Sequence, residues 1–378
     1  MIDSSGFMSK ADAHFRAPAR INLIGEHIDY NGGLVLPACI NLYIDLYVKK
    51  RNDNLIRVKS EGYNDIIETT LDDLEKNDRF KWALYTIGIF YILKKSGYNI
   101  PFGLDLYYKS SIPSGSGLSS SAAVLNVTGL MVSKIYGFDF TNTQIVFLSK
   151  SVENDYCSLE SGVMDEAIIA LGKENNALLL DCKNFNFEYK NINLGRYKIA
   201  VLKTNKPRKL IESKYNERVY ECQKALSIIK TKYDVSNLCQ LDSSSLDDIE
   251  QMLNDDVLFR RVRHVVTENE RVKEFVKALE KSDVKVMAKI LNESHHSLRR
   301  DYEVTGLHLD MIVSAALNSG ALGARMTGAG FGGCAIAIVE NSKVNEFIEN
   351  VLKKYKNKTK LDAQIFIVDI VDGIKKVE

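Results

Sequence analysis

The stretch Pro113–Val124, PSGSGLSSSAAV, constrains this chain more than any other. Two glycines alternate with serines, and three serines then run into an apolar row. Glycine lets the backbone take positive φ and approach a ligand closely. Successive N–H groups of such a loop can point into one concavity, and a helix opening there adds its positive end. A phosphate is the guest this chemistry fits. Ser119, Ser120 and Ser121 add hydroxyls that can donate to phosphate oxygens or ligate Mg²⁺. The plainer alternative is a strand-to-helix turn with a serine cap. Two glycines, a preceding proline and three cap-type serines exceed what capping requires. The Walker pattern G-x-x-x-x-G-K-[ST] is absent, and Ser120 stands where a third glycine would complete G-x-G-x-x-G.

A second cluster, TGAGFGG at Thr327–Gly333, does contain G-x-G-x-x-G in Gly328, Gly330 and Gly333. A dinucleotide fold needs a strand before it and a helix after it. Here the helical pattern HLDMIVSAALNSG precedes and the strand pattern CAIAIV follows, so a dehydrogenase reading fails on context. A tight turn remains, one that walls the phosphate site or simply packs close.

After residue 15, strand and helix patterns alternate. INLYIDLYVKK sets Ile40, Leu42, Ile44, Leu46 and Val48 on one face at period two, a half-buried strand. RFKWALYTIGIFYILKKSGY has helical length, and FGLDLYYKSS alternates before the Pro113 loop. SSSAAVLNVTGLMVSKIYG predicts a helix closed by Gly137, TNTQIVFLSKSVENDY another helix and NALLLDC a strand. Beyond residue 195, strands are expected in YKIAVLKT, GCAIAIV and QIFIVDIV, with long charged helices up to residue 320. The expected fold is α+β, two lobes with mixed sheets, dividing into 1–190 and 191–378.

The 378 residues carry a formal net charge of +1, which gives no electrostatic reason to expect nucleic acid or an anionic membrane. The run ALYTIGIFYIL falls short of the ~20 residues a bilayer span needs. The start, MIDSSGFMSKADAHF, has no apolar core after a basic segment, so no secretory signal is read there. The six cysteines are scattered with no C-x-x-C pair, against a disulfide framework or zinc site and in favour of a reducing cytoplasm. A monomer is expected.

APARINLIGEHIDYNGG, Ala17–Gly33, sets Arg20, Glu26, His27 and Asp29 within ten residues of one another, ahead of the turn signal Asn31-Gly32-Gly33. Such polar density beside β-branched residues reads as a site rim, or as a surface loop with an Arg–carboxylate pair.

These residues carry a family resemblance. ARINLIGEHIDYNGG resembles the galactokinase signature, PSGSGLSSSAA the phosphate loop of the GHMP kinase superfamily, and GARMTGAGFGGC that superfamily's third motif. The likeness continues through SGVMDEAIIALG, TNKPRKLIESKYNERVYEC, RVRHVVTENERV and DYEVTGLHLDMIV, nearly the whole chain in order. It implies a two-lobed GHMP kinase fold with a nucleotide and sugar cleft between the lobes, taking ATP, Mg²⁺ and a small sugar. By this likeness Glu26, His27 and Asp29 would line the sugar pocket with Ile28 held between them, and Gly162 would let backbone approach the sugar. Asp165 would be the catalytic carboxylate beside the anomeric hydroxyl, with Arg20 favouring its ionised form and stabilising charge on the phosphoryl group. Gly115, Ser116, Gly117, Leu118, Ser119, Ser120 and Ser121 would cradle the phosphates, Ser60 would touch the nucleotide, and Ser121 with Glu153 would hold Mg²⁺. Tyr215 would contact the sugar, although Tyr215, Val219, Cys222 and Leu226 also form an ordinary core stripe.

Four positions depart from the family pattern: Ala19 for Gly, Ser161 for Cys, Leu84 for Asn and Glu166 for Gln. Glu166 adds a negative charge that, pointing inward, would raise the pKa of Asp165. The leading expectation is ATP-dependent phosphorylation of galactose at its anomeric oxygen. The rivals are a sister sugar 1-kinase acting on galacturonate, N-acetylgalactosamine or a pentose, and a non-catalytic sensor of galactose and ATP. If Glu26 faces the C6 end, a uronate ~4 Å away would be repelled by about 4 kcal/mol at an effective dielectric near 20, unless a basic residue compensates.

Overall fold

The period-two run at residues 40–48 lies in β3 (Pro37–Lys50), with Ile40, Ile44, Leu46 and Val48 buried and Leu42 half-buried. β3 pairs antiparallel with β1 (Ala13–Asn22), and the register slips between Pro18 and Ala19. Pro18 brings no N–H to the ladder, so the slip falls where a bulge costs least. The computed structural model describes residues 4–159, 162–206 and 211–377.

Around that pair stand β4 (Leu55–Ser60), β5 (Ile67–Thr70), β6 (Leu104–Ser110) and a two-residue β13 (Lys375–Lys376), in the order β13-β1-β3-β6-β4-β5. β4 and β6 run parallel and the other neighbours antiparallel, so the sheet is mixed. A three-stranded sheet joins β2 (Leu34–Val35), β7 (Asn176–Asp181) and β8 (Asn186–Asn191) in the order β2-β7-β8. The third sheet, β10-β11-β9-β12, is antiparallel throughout: β9 (Tyr197–Lys203), β10 (Gly323–Thr327), β11 (Cys334–Glu340) and β12 (Gln364–Val368). The chain end does not stay with its own half, because β13 crosses back and pairs Lys376 with Phe15.

The apolar run after the serines forms a helix, Ser120–Tyr136, ended by Gly137 at φ 76, where a residue with a Cβ would be strained. The helix expected over residues 141–156 is regular only from Asn142 to Ser151, behind a capping box of Thr141 and Gln144. It then widens into a π-helical turn, Val152–Cys157, which carries Glu153. Such turns re-aim side chains and are frequent at functional sites. The second half supplies helices Ile211–Ile229, Asp256–Glu280, Val284–Arg300 and Gly306–Leu317. No helix among the described residues is long and apolar enough to cross a membrane.

Candidate active site

The loop from β6 to the Ser120–Tyr136 helix alternates in hand: Gly115, Gly117 and Ser119 sit at φ 64, 74 and 62. That alternation turns successive amides towards one side, the geometry of an anion nest at a helix start. Leu118 anchors the loop from below, fully buried, and its carbonyl accepts from the Arg20 amide at 3.3 Å. Ser116 is also buried, while Ser120 is exposed.

The second glycine cluster presses directly on this loop. A Cβ on Gly328 would stand 2.9 Å from the Gly117 carbonyl oxygen. The turn packs closely on residues 113–121, as either reading left open for it requires. The local order differs from expectation in one respect: β10 intervenes between the helix and Gly328. Strand, glycine turn and strand β11 still do not make a dinucleotide fold.

A cavity of about 750 Å³ opens beside the two turns, walled by Arg20, Glu26, His27 and Asp29, by Ser121, Glu153, Gly162, Asp165 and Glu166, and by Tyr215, Gly328 and Ala329. Residues up to 309 positions apart therefore share one space. Ile28 lies in the core, fully buried, and Ser60 closes β4 with its hydroxyl donating to the Glu61 carbonyl at 3.3 Å; both stand apart from that wall. Ser161 lies outside the described residues.

Arg20, on β1 and 4% exposed, donates from Nε to Asp165 Oδ1 at 2.7 Å and from Nη2 to Oδ2 at 2.8 Å. Its Nη1 donates to the Gly117 carbonyl at 2.7 Å, tying the carboxylate to the phosphate loop. The Ser119 hydroxyl also donates to Asp165 Oδ2. A carboxylate offers about four lone-pair positions. Among the described residues, both positions on Oδ2 are taken and one on Oδ1, which leaves a single acceptor position at Oδ1.

Glu26 is 2% exposed and is not a lone negative charge. Its Oε1 accepts from Arg325 Nη2 at 3.1 Å and from the Gly328 amide at 2.9 Å. Arg325, fully buried, is the compensating base that the sequence did not place, so the electrostatic argument against a uronate loses its footing. His27, at φ 63, accepts at Nδ1 from the Tyr30 hydroxyl (2.9 Å) when Nε2–H donates to the Ala329 carbonyl (3.2 Å). Burial, and then the neighbouring His264, lowers its pKa to about 3, so the ring is neutral. Asp29 abuts Gly162, where a Cβ would fall inside the Asp29 carboxylate. Glycine is needed there for space. Burial first, then the charge of Asp165, pushes the Asp29 pKa up to about 6. The Tyr215 ring stands 5.8 Å from His27 and 5.4 Å from Tyr30, so part of the predicted core stripe is cavity wall.

Glu166 is 1% exposed and its Oε2 has no hydrogen-bond partner among the described residues. Burial, then the charges of Glu153 and Asp165, drives its pKa well above the ordinary carboxylate value. A neutral carboxylic acid has nearly the shape of a glutamine side chain.

Sequence reasoning missed the layer behind the pocket. Helix Asp256–Glu280 places His264 and Glu268 against the Gly25–Glu26 backbone. Tyr302 links Tyr30 (2.8 Å) to Cys222 (3.1 Å). A signal was present: Arg261, His264, Val265, Glu268 and Val272 share one helical face, and all five are buried. Polar groups on an apolar stripe need partners elsewhere.

The fold and the site define a kinase of the GHMP superfamily: models of its N-terminal and C-terminal domains match residues 84–173 and 275–357. The galactokinase galactose-binding signature matches residues 5–50. A galactokinase from Ligilactobacillus salivarius is 41% identical over 98% of this chain and 96% of its own length. The crystal structure of Lactococcus lactis galactokinase complexed with galactose superposes with a TM-score of 0.94 at 39% identity, covering 98% of this chain and 96% of that one. A Methanococcus jannaschii mevalonate kinase shares the fold alone, at 20% identity and TM-score 0.71 over 96% and 100% of the two chains. The chain belongs to the galactokinase family.

Proposed function

We propose that this protein transfers the γ-phosphoryl group of ATP to the anomeric hydroxyl of galactose. The observation that carries the reading is the two-pronged Arg20–Asp165 pair, held on the wall of one cavity by the phosphate loop itself. The sugar's hydroxyl would donate to the remaining acceptor position on Asp165 Oδ1. As its proton moves there, Arg20 holds the carboxylate in place and balances the charge that grows on the transferring group. Backbone amides of Gly115–Ser121 and the start of the Ser120–Tyr136 helix would hold the phosphates, and His27, Asp29 and Tyr215 would orient the sugar.

The donor set also fits Mg²⁺. Ser121 and Glu153 give two hard oxygens on the cavity wall, and such an ion completes its shell with phosphates and water. Bound there, the metal would neutralise phosphate charge. Six free thiols support a reducing, cytoplasmic setting, and a monomer is part of the same proposal.

ADP release with galactose, galacturonate, N-acetylgalactosamine and glucose tests the reading. Galactose is expected to give the highest kcat/KM. Because Arg325 neutralises Glu26, galacturonate is the competitor to watch. No turnover with any sugar, alongside intact binding of galactose and ATP, would establish a sensor instead.

A further inference from the structure

Two left-handed residues, Gly25 at φ 97 and His27 at φ 63, flank Glu26. Asn31 holds this turn locally, its Nδ2 donating to the His27 carbonyl at 3.1 Å, and the peptide of Glu26 is held from the other half of the chain. Glu268, fully buried, accepts at Oε1 from the amides of Gly25 (3.1 Å) and Glu26 (3.4 Å) and from the Ser294 hydroxyl (2.7 Å). Its Oε2 accepts from Arg271 Nε at 2.7 Å. One turn earlier, His264 Nε2 donates to the Glu26 carbonyl at 3.1 Å, while Ser297 holds Nδ1 at 2.9 Å. The peptide carrying Glu26 is thus gripped on its donor and acceptor sides by one helix face.

We propose that Glu268, assisted by His264, is the positioning residue of the sugar site: by binding the Gly25 and Glu26 amides it sets the direction in which Glu26, His27 and Asp29 enter the cavity. This rests on the reading of those three residues as the sugar pocket. Neither Glu268 nor His264 is part of the cavity wall, and the hydrogen bonds by which they act on the turn go to its backbone. The Glu268 and His264 bonds go to the Glu26 turn and not to residues 113–121, so the larger effect is expected on the sugar. Ser294 and Arg271 orient the Glu268 carboxyl, as outer groups orient the ligands of a metal.

The test is Glu268→Gln, which keeps the volume and removes the charge that aligns the carboxyl on Arg271. Galactose KM, ATP KM, galactose affinity without nucleotide and thermal unfolding are measured on the full chain. Galactose KM and dissociation constant are expected to rise about tenfold, the lower end of what loss of an outer partner costs. ATP KM should stay within about twofold and unfolding should stay cooperative. A folded variant with unchanged galactose affinity, or with both KM values raised alike, overturns the proposal. Should Glu268→Gln fail to fold, Ser294→Ala removes one anchor of the same carboxyl. There, a rise of about threefold in galactose KM alone supports the proposal, and no difference between the substrates overturns it. Wild-type protein that turns over no galactose sinks the sugar-pocket reading itself, whereas an active wild type with an unsplit variant sinks only the role of Glu268.

Discussion

Arg20 and Asp165, 145 residues apart in the chain, meet through two hydrogen bonds of 2.7 and 2.8 Å, and the third arm of Arg20 reaches the phosphate loop at Gly117. One guanidinium therefore fixes both the group expected to receive the proton and the turn expected to hold the donor's phosphates. On the proposed reading, the pairing would place the two reactants relative to each other before either arrives, and such preorganisation is a large part of phosphoryl-transfer catalysis.

Removing the acceptor tests that arrangement. Asp165→Ala should lower kcat by about 10²–10⁴-fold, the usual range for a general base, while nucleotide affinity in equilibrium titration stays near wild type. Turnover close to wild type would mean that another group accepts the proton.

Sugar affinity should depend on pH if the sugar is oriented, as proposed, by Asp29. Its pKa is raised to about 6, so it is ionised above that value and neutral below it. If the ionised form accepts from sugar hydroxyls, galactose KM should rise as pH falls through about 6, by about tenfold per unit once the group is protonated. Asp29→Asn should flatten that profile and leave the KM for ATP unchanged. The raised pKa also means that the folded state holds this proton more tightly than the unfolded one, so Asp29 costs stability as pH rises from its ordinary 3.8 to about 6.

Glu166 gives a stability prediction of the same sign. Its pKa is raised well above the ordinary 4.5, so between the two values the folded chain binds more protons than the unfolded chain, and stability falls as pH rises. Glu166→Gln removes the titration while keeping the shape. Melting curves should show the variant gaining about 1–3 °C over wild type at pH 8, with little gain at pH 4.5. An equal gain at both pH values would show that packing, not charge, is what changed.

On the proposed reading, two glycines should affect the two substrates unequally. Gly162→Ala drives a Cβ into the Asp29 carboxylate and should raise galactose KM by about tenfold or more, because a displacement of about 1 Å is enough to lose that much. Gly328→Ala puts a Cβ 2.9 Å from the Gly117 carbonyl at φ 83, and its cost should fall on ATP KM and kcat instead. Initial-rate measurements with each substrate varied in turn distinguish the two. Identical effects from both changes would mean that the two turns do not divide the site as drawn.

Much of this molecule was legible because its signals are local. Period-two apolar residues put Ile40–Val48 on a sheet face, a serine run and a final glycine bracketed the Ser120–Tyr136 helix, and glycines marked both turns. Each depends on a residue and its near neighbours, which is the range over which backbone sterics and capping act. The helix expected through Tyr156 is regular only to Ser151, and the π-helical turn that follows and carries Glu153 was missed because no local composition marks it.

The amino-acid order alone determined which chemistry could be assembled: a glycine-serine cradle, two carboxylates and an arginine, and polar groups beside apolar strands. Tertiary structure decided what each group touches, because the deciding partners are hundreds of residues away. Glu26 reads as an unpaired charge until Arg325 is seen against it, 299 positions later, and the buried face of helix Asp256–Glu280 reads as misplaced polarity until Glu268 meets the Gly25 amide. A buried charge must find a counter-charge or donors wherever the fold can supply them, and nothing in the spacing of neighbouring residues says where that will be.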